Sequence, residues 1–162
     1  MISTRQATTQ DIPEITDIYN EAILHTTATF DTGTKDIQER TTWFNDRDEN
    51  FPVIVAEYHG KTAGYAALNK WSPKKAYDIT AEISVYVQSN YRGKGIGKLL
   101  VQSIVAIGEQ TKLKTIIARI TEGNDHSIYL HERTGFKMVG TLKQVGLKFG
   151  KYLDVTIMQK NF

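Results

Sequence analysis

Apolar residues recur along this chain at two spacings, every second position and every third or fourth, and the switches between them set out the elements. Residues 2–5 alternate apolar and polar, which predicts a short first strand. Asp11 predicts an N-cap, Pro13 falls in the first helical turn, and Ile12, Ile15, Ile18, Tyr19 and Ala22 form one apolar stripe. Residues 25–32 read as a threonine-rich loop around Phe30, and Asp36 predicts the cap of a second helix running through Trp43 and Phe44. Residues 53–57 and 63–68 read as two strands joined at His59-Gly60-Lys61. A loop around Trp71-Ser72-Pro73-Lys74-Lys75 leads into a strand over 80–87. Ile83, Val85 and Val87 share one face of that strand, and Glu82, Ser84 and Tyr86 the other. A long helix is predicted over 96–110, with Leu99, Leu100, Ser103, Ile104 and Ile107 at helical spacing. Then come a β-branched strand over 115–120, a short helix over 127–134 ended by Gly135, and strands near 137–145 and 152–159 joined through Phe149-Gly150-Lys151. The order β-α-α-β-β-β-α-β-α-β-β, without repeats or linkers, predicts one α/β domain over residues 1–162 on a mixed sheet.

The chemistry concentrates where the strand over 80–87 meets the long helix. Between them lies Tyr91-Arg92-Gly93-Lys94-Gly95-Ile96-Gly97-Lys98. Gly93, Gly95 and Gly97 carry no Cβ, so several backbone N–H groups can close on one anion, and the helix adds its unpaired N–H groups and the positive end of its dipole. That is a pyrophosphate cradle. It is not a P-loop, because Gly97-Lys98 is followed by Leu99 and no hydroxyl is set for magnesium. It is not a dinucleotide fingerprint either, because Lys98 stands where a third glycine is needed.

Composition narrows the classes. The chain has 20 lysines and arginines against 18 acids, a net charge of +2, too balanced to point to nucleic acid as the main partner. Without cysteine there is no disulfide, zinc-thiolate site or cysteine nucleophile, and the histidines show no ligand spacing, so no metal is expected. Residues 1–10 are polar and no apolar run approaches spanning length, so a cytoplasmic protein without a membrane partner is expected.

Arg92-x-x-Gly95-x-Gly97 resembles the acetyl-CoA signature of the GNAT superfamily of N-acetyltransferases, and the order of elements resembles its topology over the whole chain. Asn124-x-x-Ser127 before Gly135-Phe136 is similar to its second cofactor element. Thr27-Ala28-Thr29-Phe30, Ala76-Tyr77-Asp78, Thr80-Ala81-Glu82, Leu130-His131-Glu132 and Gly146-Leu147-Lys148-Phe149-Gly150 resemble the phosphinothricin and methionine sulfoximine acetyltransferase branch. The resemblance implies a mostly antiparallel seven-stranded sheet splayed between strands 4 and 5, flanked by about four helices. It also implies a bulge ending strand 4, acetyl-CoA as co-substrate and a homodimer. The acceptor would be the α-amino group of a small amino-acid analogue; a protein N-terminus, another amine, or a non-catalytic acyl-CoA-binding module are the alternatives.

Carried onto this sequence, Val85, Tyr86 and Val87 would meet the pantetheine arm, with the Val85 N–H on the acetyl carbonyl. Arg92, Gly93, Lys94, Gly95, Ile96, Gly97 and Lys98 would hold the pyrophosphate, and Asn124 and Ser127 would meet the arm again. Glu82 is the candidate base. The family's usual acid is a tyrosine seven residues after the asparagine, a position held here by His131, which can protonate the thiolate or relay the amine's proton. Phe30, Trp71 and Tyr77 are candidate walls of a substrate pocket. Lys74 and Lys75 are candidate partners of a substrate anion, and residues 145–150 are a segment that would close over it or simply form a hairpin.

Overall fold

The computed structural model describes residues 1–162. Seven strands form one sheet: β1 (Ile2–Gln6), β2 (Val53–Tyr58), β3 (Lys61–Lys70), β4 (Thr80–Val87), β5 (Thr115–Thr121), β6 (Lys137–Lys148) and β7 (Lys151–Asn161). Their spatial order is β1-β2-β3-β4-β5-β7-β6, and every neighbouring pair is antiparallel except β4 and β5. Four helices accompany it: α1 (Ile12–His25), α2 (Ile37–Asn45), α3 (Ile96–Glu109) and α4 (Asp125–Arg133). The turn predicted at His59-Gly60-Lys61 closes as a two-residue hairpin between β2 and β3, with His59 and Gly60 both at positive φ.

The helices bury their stripes on opposite faces of the sheet. α3 covers the larger core, where Ile96, Leu100, Val101 and Ile104 pack on Ile54, Leu68, Ile83 and Ile116. α1 covers a smaller cluster of Ile15, Ile18, Val53, Val55, Tyr65 and Ala67, closed at its rim by Trp43 and Phe44 of α2. The two faces of β4 follow the predicted split: Ile83, Val85 and Val87 join the α3 core, whereas Tyr86 joins the α1 cluster.

Three sequence-based expectations are corrected. The buried stripe of α3 runs through Ile96, Leu100, Val101, Ile104, Val105 and Gly108, leaving Leu99, Ser103 and Ile107 only half-buried. Apolar residues on this helix are dense enough to draw two overlapping stripes, and the sheet selects the one whose Gly108 lets Leu68 approach. Asp11 stands at the N-cap position of α1 but makes no side-chain cap. Its carboxylate instead takes both terminal nitrogens of Arg5, at 2.8 Å each, and the Thr8 N–H, and the arginine holds it below the usual aspartate range. Nor does β4 end in a bulge, since its ladder with β3 runs without a shift from Gly64↔Val87 to Lys70↔Ala81. The separation from β5 arises on the other side, where β5 stays in register with β7 over its full length.

Candidate active site

β4 and β5 are paired only at Thr80↔Thr115, Ala81↔Ile116 and Glu82↔Ile117, and beyond Glu82 the sheet forks. Backbone groups of a strand alternate between its two edges. The Gln88 N–H bonds Ala63 on β3, while the Ile79 carbonyl accepts from Lys114 and Thr115 beside β5. Carried along the strand, this alternation turns the N–H and C=O groups of Val85 and Val87 into the fork, where no strand pairs with them. Those of Tyr86 turn towards β3. Val85 thus has both backbone groups, and Val87 its N–H, without a strand partner, the Val87 carbonyl being taken by Arg92; the β3 ladder uses the backbone of Tyr86. The Tyr86 side chain lines the cavity beside the fork. A cavity of about 810 Å³ fills the fork and continues over the α1 face of the sheet, lined among others by Val85, Tyr86, Arg119, Thr121, Asn124 and His131.

At the far end of β4 the cradle has the predicted form. Gly93 and Gly95 take φ of 78° and 83°, and a Cβ on either would meet nothing within 4 Å, so the concave side of the loop is open. Gly95 is the N-cap of α3 and has no side chain to satisfy the first N–H groups, and no acid stands in the first turn. Unpaired donors at the positive end of a 14-residue helix, flanked by exposed Lys94 and Lys98, suit a pyrophosphate. Gly97 lies within the helix, where a Cβ would touch Leu130 and Val87. The Arg92 side chain is engaged within the protein. Its Nε donates to the Val87 carbonyl, and its Nη2 lies 3.7 Å from Glu21 of α1, which also accepts the Ser89 N–H and hydroxyl. Arg92 thus ties the loop to the strand before it and to α1.

Glu82 lines the cavity on the α1 face of β4, half-buried, and Arg119 of β5 holds its carboxylate through Nε and, at 2.7 Å, Nη2. Arg119 escaped the sequence reading. It is a charge on an alternating strand, and only the pairing of β4 with β5 brings it beside Glu82. His131 is buried, with its ring 4.9 Å from Phe136, which the turn at Gly135 brings back against α4. The His131 Nδ1 lies 2.7 Å from the Ser127 carbonyl. A carbonyl can only accept, so Nδ1 carries the hydrogen and Nε2 the lone pair. Burial also holds the imidazole below its ordinary 6.5, only partly offset by that hydrogen bond. Asn124 accepts the Ser127 N–H as an N-cap.

Phe30 lines the cavity, its ring seated against Gly146 of β6 so closely that a Cβ there would fall 2.1 Å from it. Lys148, buried, donates to the Thr29 carbonyl at 2.7 Å. The segment 145–150 is therefore hairpin that pins the threonine-rich loop, and Val145 and Leu142 complete the cavity wall. Tyr19, Arg40, Trp43, Asn69 and Ser84, none of them foreseen, also face it. The Tyr19 hydroxyl donates to Asp31, and burial pushes the Tyr86 phenol up to about 12, which keeps it protonated. Four predicted substrate residues are not brought into the cavity. Trp71 is half-buried with Arg119 5.6 Å from its ring, while Lys74, Lys75 and Tyr77 are exposed on the turn before β4. The structure contains no group of three or more His, Cys, Asp or Glu arranged to hold a metal.

Comparison with known proteins gives the same reading. Residues 4–157 match the family described as Acetyltransferase (GNAT) domain. An L-methionine sulfoximine/L-methionine sulfone acetyltransferase of Pseudomonas aeruginosa is 40% identical over 98% of this chain and 94% of its own. Among solved structures, a GNAT superfamily phosphinothricin acetyltransferase from Sinorhizobium meliloti in complex with acetyl-CoA superposes with a TM-score of 0.95 at 32% identity, over 99% of this chain and 88% of that one. A ribosomal-protein-alanine N-acetyltransferase from Brucella melitensis gives a TM-score of 0.95 at 41% identity, over 99% of both chains.

Proposed function

The chain belongs to the GNAT acetyltransferase family and is an acetyl-CoA-dependent N-acetyltransferase, and we propose that its acceptor is the α-amino group of a small L-amino-acid analogue of the methionine sulfoximine, methionine sulfone or phosphinothricin type. The observation that carries the reading is the walled cavity beside Glu82. Phe30, Val145 and Leu142 line it together with Glu82 and Val85, and its volume suits a small molecule. We read residues 1–162 as one domain that performs the whole reaction.

Acetyl-CoA supplies the activated acyl group, and Gly93 to Lys98 with the first turn of α3 would hold its pyrophosphate. The Val85 N–H, directed into the fork, would polarise the acetyl carbonyl. Glu82, fixed by Arg119, faces the space where the acceptor amine would stand and takes its ammonium proton directly or through a water. His131 presents a neutral Nε2. A neutral imidazole accepts before it donates, so His131 takes the proton released as the amine adds to the carbonyl carbon and returns it to the departing thiolate sulfur. The direct attack forms an amide N–C bond and breaks the C–S bond; the proton carried by His131 ends on sulfur, and the one taken by Glu82 is released to solvent.

A protein N-terminus is the second reading, favoured by the likeness to the ribosomal-protein-alanine enzyme. It would need Phe30, which is 38% exposed, and the β6–β7 hairpin to stand aside. A homodimer is part of the proposal. β6 is an edge strand whose Val139, Leu142, Val145 and Leu147 are exposed beside Phe149 and Tyr152, an apolar surface of the kind that seeks a partner. A cytoplasmic enzyme with no nucleic acid or membrane partner completes it; no helix is long and apolar enough to cross a membrane. The test is release of free CoA from acetyl-CoA with a panel of methionine sulfoximine, methionine sulfone, phosphinothricin, common amino acids, an aminoglycoside, a polyamine and an alanine-starting peptide. Turnover concentrated on the first three supports the reading, and turnover of the peptide alone overturns it.

A further inference from the structure

One wall of the cavity carries buried positive charge that the transfer chemistry above does not use. Arg40 of α2 is only 6% exposed, yet it lines the cavity. Its guanidinium is stacked 3.8 Å from the ring centre of Trp43 and 4.4 Å from that of Tyr19. Nη2 donates to the Tyr65 hydroxyl at 3.0 Å, while Nε is buried without a partner. On the same indole, 4.6 Å away, lies the guanidinium of Arg47, whose partners are the neutral oxygens of Phe51, Leu68 and Asn69. None of the chain's ion pairs includes Arg40 or Arg47. The nearby acids are engaged elsewhere. Asp31 takes the Tyr19 hydroxyl and pairs with Lys35, and Glu39 closes the capping box with Asp36.

A buried and a half-buried cation on one ring, neither in an ion pair, are costly as they stand. Aromatic faces offset part of that cost, but they leave the guanidinium's in-plane donors unused. A missing anion is the simplest complement, and the cavity is where it would enter. Arg40 bonds Tyr65, whose ring lies 5.4 Å from that of Tyr86, on the face of β4 that carries Glu82 and Ser84. An acceptor whose amine lies beside Glu82 therefore extends the rest of its backbone along this wall.

We propose that Arg40 is the anchor for the α-carboxylate of the acceptor amino acid, with Trp43 and Tyr19 holding its guanidinium in plane and Arg47 adding positive charge behind it. The proposal rests on the reading that the acceptor is an amino acid. A carboxylate is preferred over the side-chain head because it is the one anion that all three acceptor types share: the sulfone and sulfoximine heads are neutral, and only phosphinothricin adds an anionic phosphinate. Arg40 thus determines specificity: it selects amino acids over amines that lack the carboxylate.

The test compares kcat/KM for L-methionine sulfone and for its α-carboxamide in the wild type, Arg40→Gln and Arg40→Lys. Calorimetric CoA binding checks that each variant is folded. A charge-assisted hydrogen bond predicts a wild-type preference for the carboxylate of about 10- to 100-fold. Arg40→Gln is expected to abolish that preference while CoA affinity stays, and Arg40→Lys to restore part of it. An Arg40→Gln enzyme that keeps the preference within about twofold overturns the proposal; if Arg40→Gln fails to fold, the neutral Arg40→Met is judged by the same criterion. A loss appearing instead in the ratio of methionine sulfone to methionine assigns Arg40 to the side-chain head and overturns the carboxylate assignment. A wild type that acetylates no amino acid defeats the acceptor reading itself, a result separate from either.

Discussion

Glu82 is either the group that takes the ammonium proton or one half of a structural ion pair, and the two roles differ enough in magnitude to be separated. The pair is partly solvated: the Arg119 side chain is 54% exposed and that of Glu82 18%. Pairs of this exposure contribute no more than about 1 kcal/mol, roughly a fivefold effect on any equilibrium they govern. A general base contributes about 10²- to 10⁴-fold in rate. The perturbations are Glu82→Gln, which keeps shape and a hydrogen-bonding oxygen, and Arg119→Met, which breaks the same pair from the other side. If Glu82 is the base, Glu82→Gln loses at least about 10²-fold in kcat, while Arg119→Met loses about fivefold or less. The assay is CoA release at saturating acetyl-CoA and methionine sulfone, with thermal unfolding recorded for both variants. Equal losses in the two variants, or a Glu82→Gln enzyme within fivefold of the wild type, would refute the reasoning and reduce Glu82 to a partner of Arg119.

Three other outcomes are expected. Gly95→Val forces a β-branched residue to φ 83° at the mouth of the cradle, so calorimetry should show acetyl-CoA binding weakened at least about tenfold, with roughly 1–2 kcal/mol of stability lost as well; unchanged affinity would remove Gly95 from the cofactor site. Because burial lowers the His131 pKa below 6.5, the neutral base is present at pH 7 and kcat/KM should fall as pH drops below 6.5 through the folded value. The unfolded chain takes up that proton first, so stability declines over the same window, and His131→Gln should lose both the acid limb and this part of the stability decline. Sedimentation should find the wild type dimeric at micromolar concentration and Leu147→Glu, a charge on the exposed edge strand, monomeric; a wild-type monomer would exclude that interface.

What the sequence disclosed depended on how local the cause was. β4 could be read to its end residues, 80 and 87, because strict alternation and the glycine-rich loop both act within a few positions. The cradle and α4 were legible for the same reason: glycines, an N-cap asparagine and a C-terminal glycine carry their meaning locally. Arg119, Arg40 and Glu21 were not legible. Each is an ordinary charged residue on a strand or helix until the sheet brings it to a partner 37, 25 or 68 residues away. The reverse also held for Asp11, whose local cap signal was overridden by Arg5, and for Lys74, Lys75 and Tyr77, whose place beside β4 in sequence does not put them in the cavity.

The fork turns one strand into two surfaces at right angles. Within the sheet plane, the ladder with β3 uses the backbone of Tyr86, and loss of β5 beyond Glu82 leaves that of Val85 and the Val87 N–H without a strand partner. Out of the plane, Glu82, Ser84 and Tyr86 present their side chains to the acceptor cavity, with Asn69 bonded to Ser84 and Arg40 to Tyr65 beneath it. The two surfaces are chemically independent because backbone donors do not depend on side-chain identity. On the proposed reading, changes at 84 or 86 would alter which amine is taken and a change at 82 would cost the proton transfer, and all three would leave the backbone groups of the fork in place. Changes that reset the β3–β4 register would strike both at once, since a slip of one residue exchanges the two faces. Gly64 guards that register: a Cβ there would lie 2.7 Å from the Tyr86 carbonyl oxygen, a backbone atom that cannot step aside without moving the strand on which both surfaces stand.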